Sequence, residues 1–117
     1  MKEILKELDN IDFHDIPVES VKIISDPEIS VVVSFFLHIE ELNDYQNNEI
    51  AFKRIQEMEI GNIILDSESD VEIYSFDYEL KEGFDCKMTF LLGFGKPSLD
   101  MKIKCKEIEM KTVPNKV

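Results

Sequence analysis

Residues 29–39 read ISVVVSFFLHI, the most apolar run in the chain. Their β-branched and aromatic side chains favour a pleated surface over a helix, and the length suits a strand buried on both faces. This run is read as a central strand around which the other strands are laid.

Upstream, Ser25-Asp26-Pro27-Glu28 is a turn, with proline supplying the backbone angle that a second turn position needs. Val18–Ile24 before it reads as a first strand with Val21 and Ile23 on one face. Asn10–Ile16 (NIDFHDI) is a polar loop with two apolar anchors, closed by Pro17. Lys2–Leu8 places Ile4, Leu5 and Leu8 on one side of a short amphipathic helix that holds only if it docks. Downstream, the central strand fades into Glu40, Glu41 and an Asn/Asp-rich loop, Asn43–Asn48. Glu49–Ile60 then carries Ile50, Phe52, Ile55, Met58 and Ile60 at intervals of two, three, three and two, a spacing open to a helix or to a strand with a bulge. We read it as strand, because Gly61 and the NIIL that follows suit a sheet.

The last third alternates regularly. Tyr74, Phe76, Tyr78 and Leu80 form one apolar row, Phe84 to Leu92 a second, and Leu99 to Cys105 a third, so three half-buried strands are expected. The loop Lys81-Glu82-Gly83 pairs Leu80 with Phe84, Phe76 with Met88 and Tyr74 with Phe90. The loop at Gly93–Ser98 pairs Leu92 with Leu99 and sets Cys86 against Cys105. In this register all three apolar rows share a face, which a one-residue slip would destroy. The expected fold is mainly β: an antiparallel sandwich or a strongly curved sheet, with a short helix at one end, in a single domain over residues 1–117.

A chain of 117 residues with 44% hydrophobic and 32% charged residues is long enough to bury a core without disulfide or metal. The N-terminal MKEILKELDN mixes charge with apolar residues and forms no signal-type core, and no apolar run reaches the roughly 18 residues of a membrane span. A cytoplasmic protein with reduced thiols is expected. The net charge is -12. Residues 1–80 carry 20 acidic and 5 basic groups, whereas residues 81–117 carry 5 acidic and 8 basic. Such a field repels nucleic acid and anionic lipid, and it draws in cationic protein surfaces at rates that fall with salt. The plain alternative is that the charge only keeps the protein soluble.

Few residues suggest chemistry. In Asp12-Phe13-His14-Asp15 an imidazole stands between carboxylates, as a base or a metal ligand would, but the same residues are ordinary loop formers that bond nearby backbone. His38 lies on a strand expected to be buried, as a satisfied core or edge histidine. Asp66-Ser67-Glu68-Ser69-Asp70 spaces its acids as a calcium loop begins, yet Val71 stands where the loop needs glycine and Asp77 where it needs a bidentate glutamate. Gly93-Phe94-Gly95-Lys96-Pro97 lacks the spacing of a phosphate loop. Cys86 and Cys105 have no neighbouring base and read as small core residues able to form a cross-strand disulfide. No Ser-His-Asp ordering and no Cys-x-x-Cys occurs, so neither enzyme, cofactor nor metal is expected.

Phe13-His14-Asp15, the Val/Ile strand after it, the longer apolar strand, Phe52 near the head of a further strand and Gly83-Phe84-Asp85-Cys86 leading a late strand together resemble the small bacterial immunity proteins that carry an FHD motif and are associated with polymorphic toxins. The resemblance implies an inhibitor that binds a cognate toxin domain in the producing cell. Toxin domains that cut nucleic acid need a basic surface, which an acidic protein can cover. The expected contacts are Glu57, Glu59, Asp66, Glu68 and Asp70, with Tyr45 and Tyr74 as aromatic anchors. Two other readings stay open: a small-ligand or purely structural β module, the former requiring a sizeable apolar cleft with a few polar groups, and a metal-dependent or hydrolytic enzyme, which would need His14 and acids converging in a cleft.

Overall fold

Six antiparallel strands close into one barrel in this computed structural model, which describes residues 2–61, 70–93 and 95–113. They are β1 (Ile16–Ile24), β2 (Ser30–Ile39), β3 (Asp44–Ile60), β4 (Glu72–Leu80), β5 (Phe84–Leu91) and β6 (Leu99–Thr112), preceded by helix α1 (Lys2–Asp9). Around the ring the order is β1-β2-β3-β6-β5-β4. Two meanders, β1-β2-β3 and β4-β5-β6, meet along a long β3–β6 ladder and along a short β1–β4 seam of Ile16 with Ile73 and Pro17 with Glu72. The mainly β fold with an N-terminal helix is as expected, and its form is the strongly curved sheet. Closure merges what would be two packed sheets into one interior filled by side chains.

The central strand is most deeply buried on its inner face and only partly covered on its outer one. Val31, Val33 and Phe35 are fully buried in the interior, together with Ile50 and Phe52 of β3. On the outer side Val32 and Phe36 are half-buried, and Ser34 is covered by Glu19 and Asn47, whose oxygens lie 3.0 and 2.9 Å from its hydroxyl. His38 shares the outer side with Phe36 and is exposed, not buried as its strand suggested. The Asn/Asp-rich loop is also shorter than expected. Ile39 pairs with Asp44, so residues 44–48 belong to β3 and only 40–43 turn, with Asn43 at φ 48°. Asparagine tolerates that left-handed angle better than most residues do.

Glu49–Ile60 is strand, and its uneven spacing has a structural cause. Arg54 takes φ 54°, and a bulge follows between Ile55 and Glu57. Each breaks the two-residue alternation once and returns Ile55, and then Met58 and Ile60, toward the core cluster. The facing strand shows the same break, from Cys105 to Ile108, so β3 and β6 bend together.

In the second meander the β4–β5 register is as expected at Leu80 with Phe84 and Phe76 with Met88, but a bulge puts Ile73, not Tyr74, opposite Phe90. Ile73 is fully buried and Tyr74 is turned out. Between β5 and β6 the register is offset by two from the expected one: Phe90 faces Leu99 and Met88 faces Met101. An even offset keeps the apolar rows on one face, which is why the face was legible when the partners were not. Cys86 therefore faces Ile103, and Cys105 faces Phe84. Both cysteines are buried and free. As diagonal neighbours their thiols still meet, and hydrogen bonding to Cys105 together with burial raises the Cys86 thiol far above its usual range. The β4–β5 turn is held against β6, because Gly83 sits at φ 143° and a Cβ there would meet the Cys105 carbonyl oxygen at 2.8 Å.

Helix α1 docks through Leu8, which is buried, with Ile4 and Leu5 packed beside it. Its last residue, Asp9, accepts a 2.7 Å hydrogen bond from the Tyr78 hydroxyl, which raises that phenol above its ordinary value. Among the described residues no helix is long and apolar enough to cross a membrane.

Candidate functional site

The FHD stretch divides between inside and outside. Phe13 enters the core, edge-on to Phe35 at 5.9 Å and stacked on Phe76 at 5.3 Å, while Phe76 in turn stacks on Phe52. It is an aromatic plug, and it fixes where the next two residues emerge. Asp12 accepts the His14 backbone N–H at 3.1 Å, and Asp15 takes a left-handed φ of 62° before β1 begins. His14 and Asp15 are both exposed, with Nδ1 and a carboxylate oxygen 2.8 Å apart.

These residues form one wall of an open cleft of about 800 Å³. The other wall is the end of β2 and the β2–β3 turn, Phe36 to Glu41, with Tyr45. Both histidines of the chain stand here, each against a tyrosine: His14 with Tyr74 at 5.2 Å and His38 with its cross-strand partner Tyr45 at 5.2 Å. The two tyrosines are 46% and 54% exposed respectively, so their faces are open to a partner. The cleft carries the carboxylates Asp12, Asp15, Glu40, Glu41 and Glu72 and is lined by neither lysine nor arginine.

The expected acidic edge lies elsewhere. Glu57 and Glu59 stand at the far end of β3 from Tyr45, where β6 sets Lys104 and Lys102 opposite them. Lys104 Nζ lies 3.7 Å from a Glu57 oxygen. Similar pairs, Lys53 with Glu109 at 2.6 Å and Lys87 with Asp100 at 3.8 Å, cover the outer face of β3, β6 and β5 with mixed charge. Asp70 is exposed, and Asp66 and Glu68 lie outside the described residues, as does most of the calcium-like stretch. Tyr45 is thus brought to the cleft with His14, Tyr74 touches His14 from outside it, and Glu57 and Glu59 are not part of it. The cleft acids Glu40, Glu41 and Glu72 were missed because they are far apart in sequence. The signals that pointed to them were the absence of lysine and arginine from residues 23–52, which holds Glu40 and Glu41, and from residues 55–80, which holds Glu72.

A second concavity of about 380 Å³ lies between the outer half of β1 and the ends of β3, β5 and β6. It is mostly apolar, lined by Val18, Val21, Ile60, Val71, Leu92 and Met101 among others, with Glu19 and Ser20 at its margin. Among the described residues no group of three or more histidine, cysteine or carboxylate side chains is arranged to hold a metal ion. No family model, curated protein or solved structure matches the chain.

Proposed function

We propose that this chain is an immunity-type inhibitor that neutralises a cationic toxin domain, probing it through the cleft between the FHD stretch and the end of β2. The observation that carries the reading is a concave surface holding carboxylates without a compensating lysine or arginine, with the exposed Tyr45 in its lining. Carboxylates in such a concavity speed encounter with a basic surface, and exposed aromatic rings supply the buried contact area that charge alone lacks. The resemblance in Phe13-His14-Asp15 falls at the same place, with the phenylalanine anchoring and the histidine and aspartate presented. The chain acts by covering the toxin, a nuclease-type domain whose substrate surface is basic.

The test is co-expression with the C-terminal domain encoded by the gene immediately upstream, paired with a titration of the purified proteins. Protection from growth arrest is expected, with affinity falling at least about tenfold between roughly 0.05 and 0.5 M salt. Reversing charge in Glu40→Lys/Glu41→Lys is expected to abolish protection while the fold persists. Affinity unmoved by both salt and charge reversal would sink the reading.

The apolar groove beside β1 favours a second reading, a carrier of a small apolar ligand. In that case the same cells gain no protection, and the purified protein binds a fluorescent apolar probe saturably unless Met101 is replaced by Asp. Absence of saturable probe binding excludes it.

A further inference from the structure

The β1–β2 ladder stops at Val18 opposite Phe35, whereas β2 runs on to Ile39 with β3 as its neighbour. Beyond Phe35, no strand among the described residues pairs with β2 on the side turned away from β3. Alternate residues of a strand direct both N–H and C=O to the same side, so two of these four residues turn theirs toward an edge that no strand covers. Natural edges are commonly guarded by proline or lysine, and Phe-Leu-His-Ile contains neither. All four residues line the acidic cleft, so the bare edge opens into it.

An edge left free in a groove accepts an extended segment as a further strand, with main-chain bonds giving affinity and side-chain surroundings giving specificity. Here the surroundings select a cation. Asp12 and Asp15 face the edge from the opposite wall, and Glu40 and Glu41 continue from its end. Beside it the Tyr45 ring is more than half exposed. A guanidinium stacks on such a ring and forks to a carboxylate, which an ammonium does less well.

We propose that the free edge of β2, Phe36–Ile39, takes up an extended arginine-bearing segment of a partner protein as an added strand. This deepens the reading of the cleft as a contact surface for a cationic protein and rests on it. What it adds is main-chain pairing as the mode of capture.

The probe is a capped peptide of about six residues alternating arginine with valine, followed by amide NMR on the full chain. Saturable shifts are expected at Phe36–Ile39, with slowed hydrogen exchange at the outward amides of that run. N-methylating the peptide's alternate amides that face the edge is expected to weaken binding about tenfold or more, since it removes hydrogen bonds while keeping the charge. Methylating the other alternate set is expected to leave affinity unchanged. Equal affinity for all three peptides would overturn strand addition while leaving cationic contact standing. Equal affinity for a peptide with glutamate in place of arginine would overturn the cationic occupant, and with it the reading on which the proposal rests. Failure of every peptide to shift Phe36–Ile39 would overturn the proposal outright.

Discussion

Phe13 and His14 are neighbours with opposite tasks, and single substitutions separate them. Phe13 is 6% exposed and touches two rings of the core. Phe13→Ala leaves a cavity that the surrounding strands cannot collapse, so a loss of about 3–5 kcal/mol is expected in urea unfolding. His14 projects into solvent, and His14→Ala is expected to move stability by no more than about 0.5 kcal/mol. If the inhibitor reading holds, the same substitution weakens toxin binding. A large stability loss from His14→Ala would show that the ring contact with Tyr74 holds the loop in place. The motif was visible in the sequence as three adjacent residues. That the stretch is a polar loop with apolar anchors was visible too; the rings that Phe13 packs on were not, because Phe35 and Phe76 are distant in sequence.

At the scale of elements, β3 and β6 carry the longest ladder, and ion pairs between them bias its pH response. Lys53 donates to Glu109 across the two strands, and that hydrogen bond holds the Glu109 carboxyl below its ordinary value while raising Lys53. A carboxylate depressed in the folded state stabilises it above the unfolded value and loses that contribution as pH falls through the folded one. A raised lysine contributes fully below its unfolded value and loses the contribution as pH rises through the folded one. Glu109→Gln is therefore expected to flatten the acid limb of the melting-temperature curve and to leave neutral-pH melting little changed, because both side chains are largely solvated. The difference from wild type is expected to vanish near 0.5 M salt, roughly. An unchanged acid limb at low salt would show that the pair does not couple to folding.

Strand boundaries were legible wherever alternation was clean. The row Phe84, Cys86, Met88, Phe90 became β5 with its inner face as read, and the three-residue loop before it fixed Leu80 against Phe84. Register across the Gly93–Ser98 loop was read two residues away from the observed pairing. A longer loop does not dictate which residues close it, and both pairings bury the same side chains. Tyr74 was misplaced for a related reason: a bulge swaps the faces of two adjacent apolar residues, and Ile73 and Tyr74 are equally acceptable inside by composition.

The whole barrel is unevenly closed. The β3–β6 side pairs over most of two long strands, whereas the β1–β4 seam rests on Ile16 with Ile73, Pro17 with Glu72 and a 3.0 Å bond from the Val18 N–H to the Val71 carbonyl. Pro17 brings no donor to this seam. Native-state hydrogen exchange is therefore expected to be slowest in β3 and β6, with Val18 exchanging through a local opening that low denaturant does not accelerate. Protection at Val18 equal to that at Phe52 would show that the seam parts only when the whole molecule unfolds.

Alternation of apolar and polar residues determined, without any coordinates, that the last third of this chain is strands with one buried face, and the short loops between them made those strands antiparallel, because a side-chain period of two splits each strand into an inner and an outer row. Composition likewise determined that the surface is acidic. Whether the sheet stays open or closes, and which acids stand together without a cation, was decided only by tertiary structure. Closure joins Ile16 to Ile73, and the cleft gathers Asp12, Glu41 and Glu72 from separate segments. Charge adds up over distance in space, and a linear reading measures distance only along the chain.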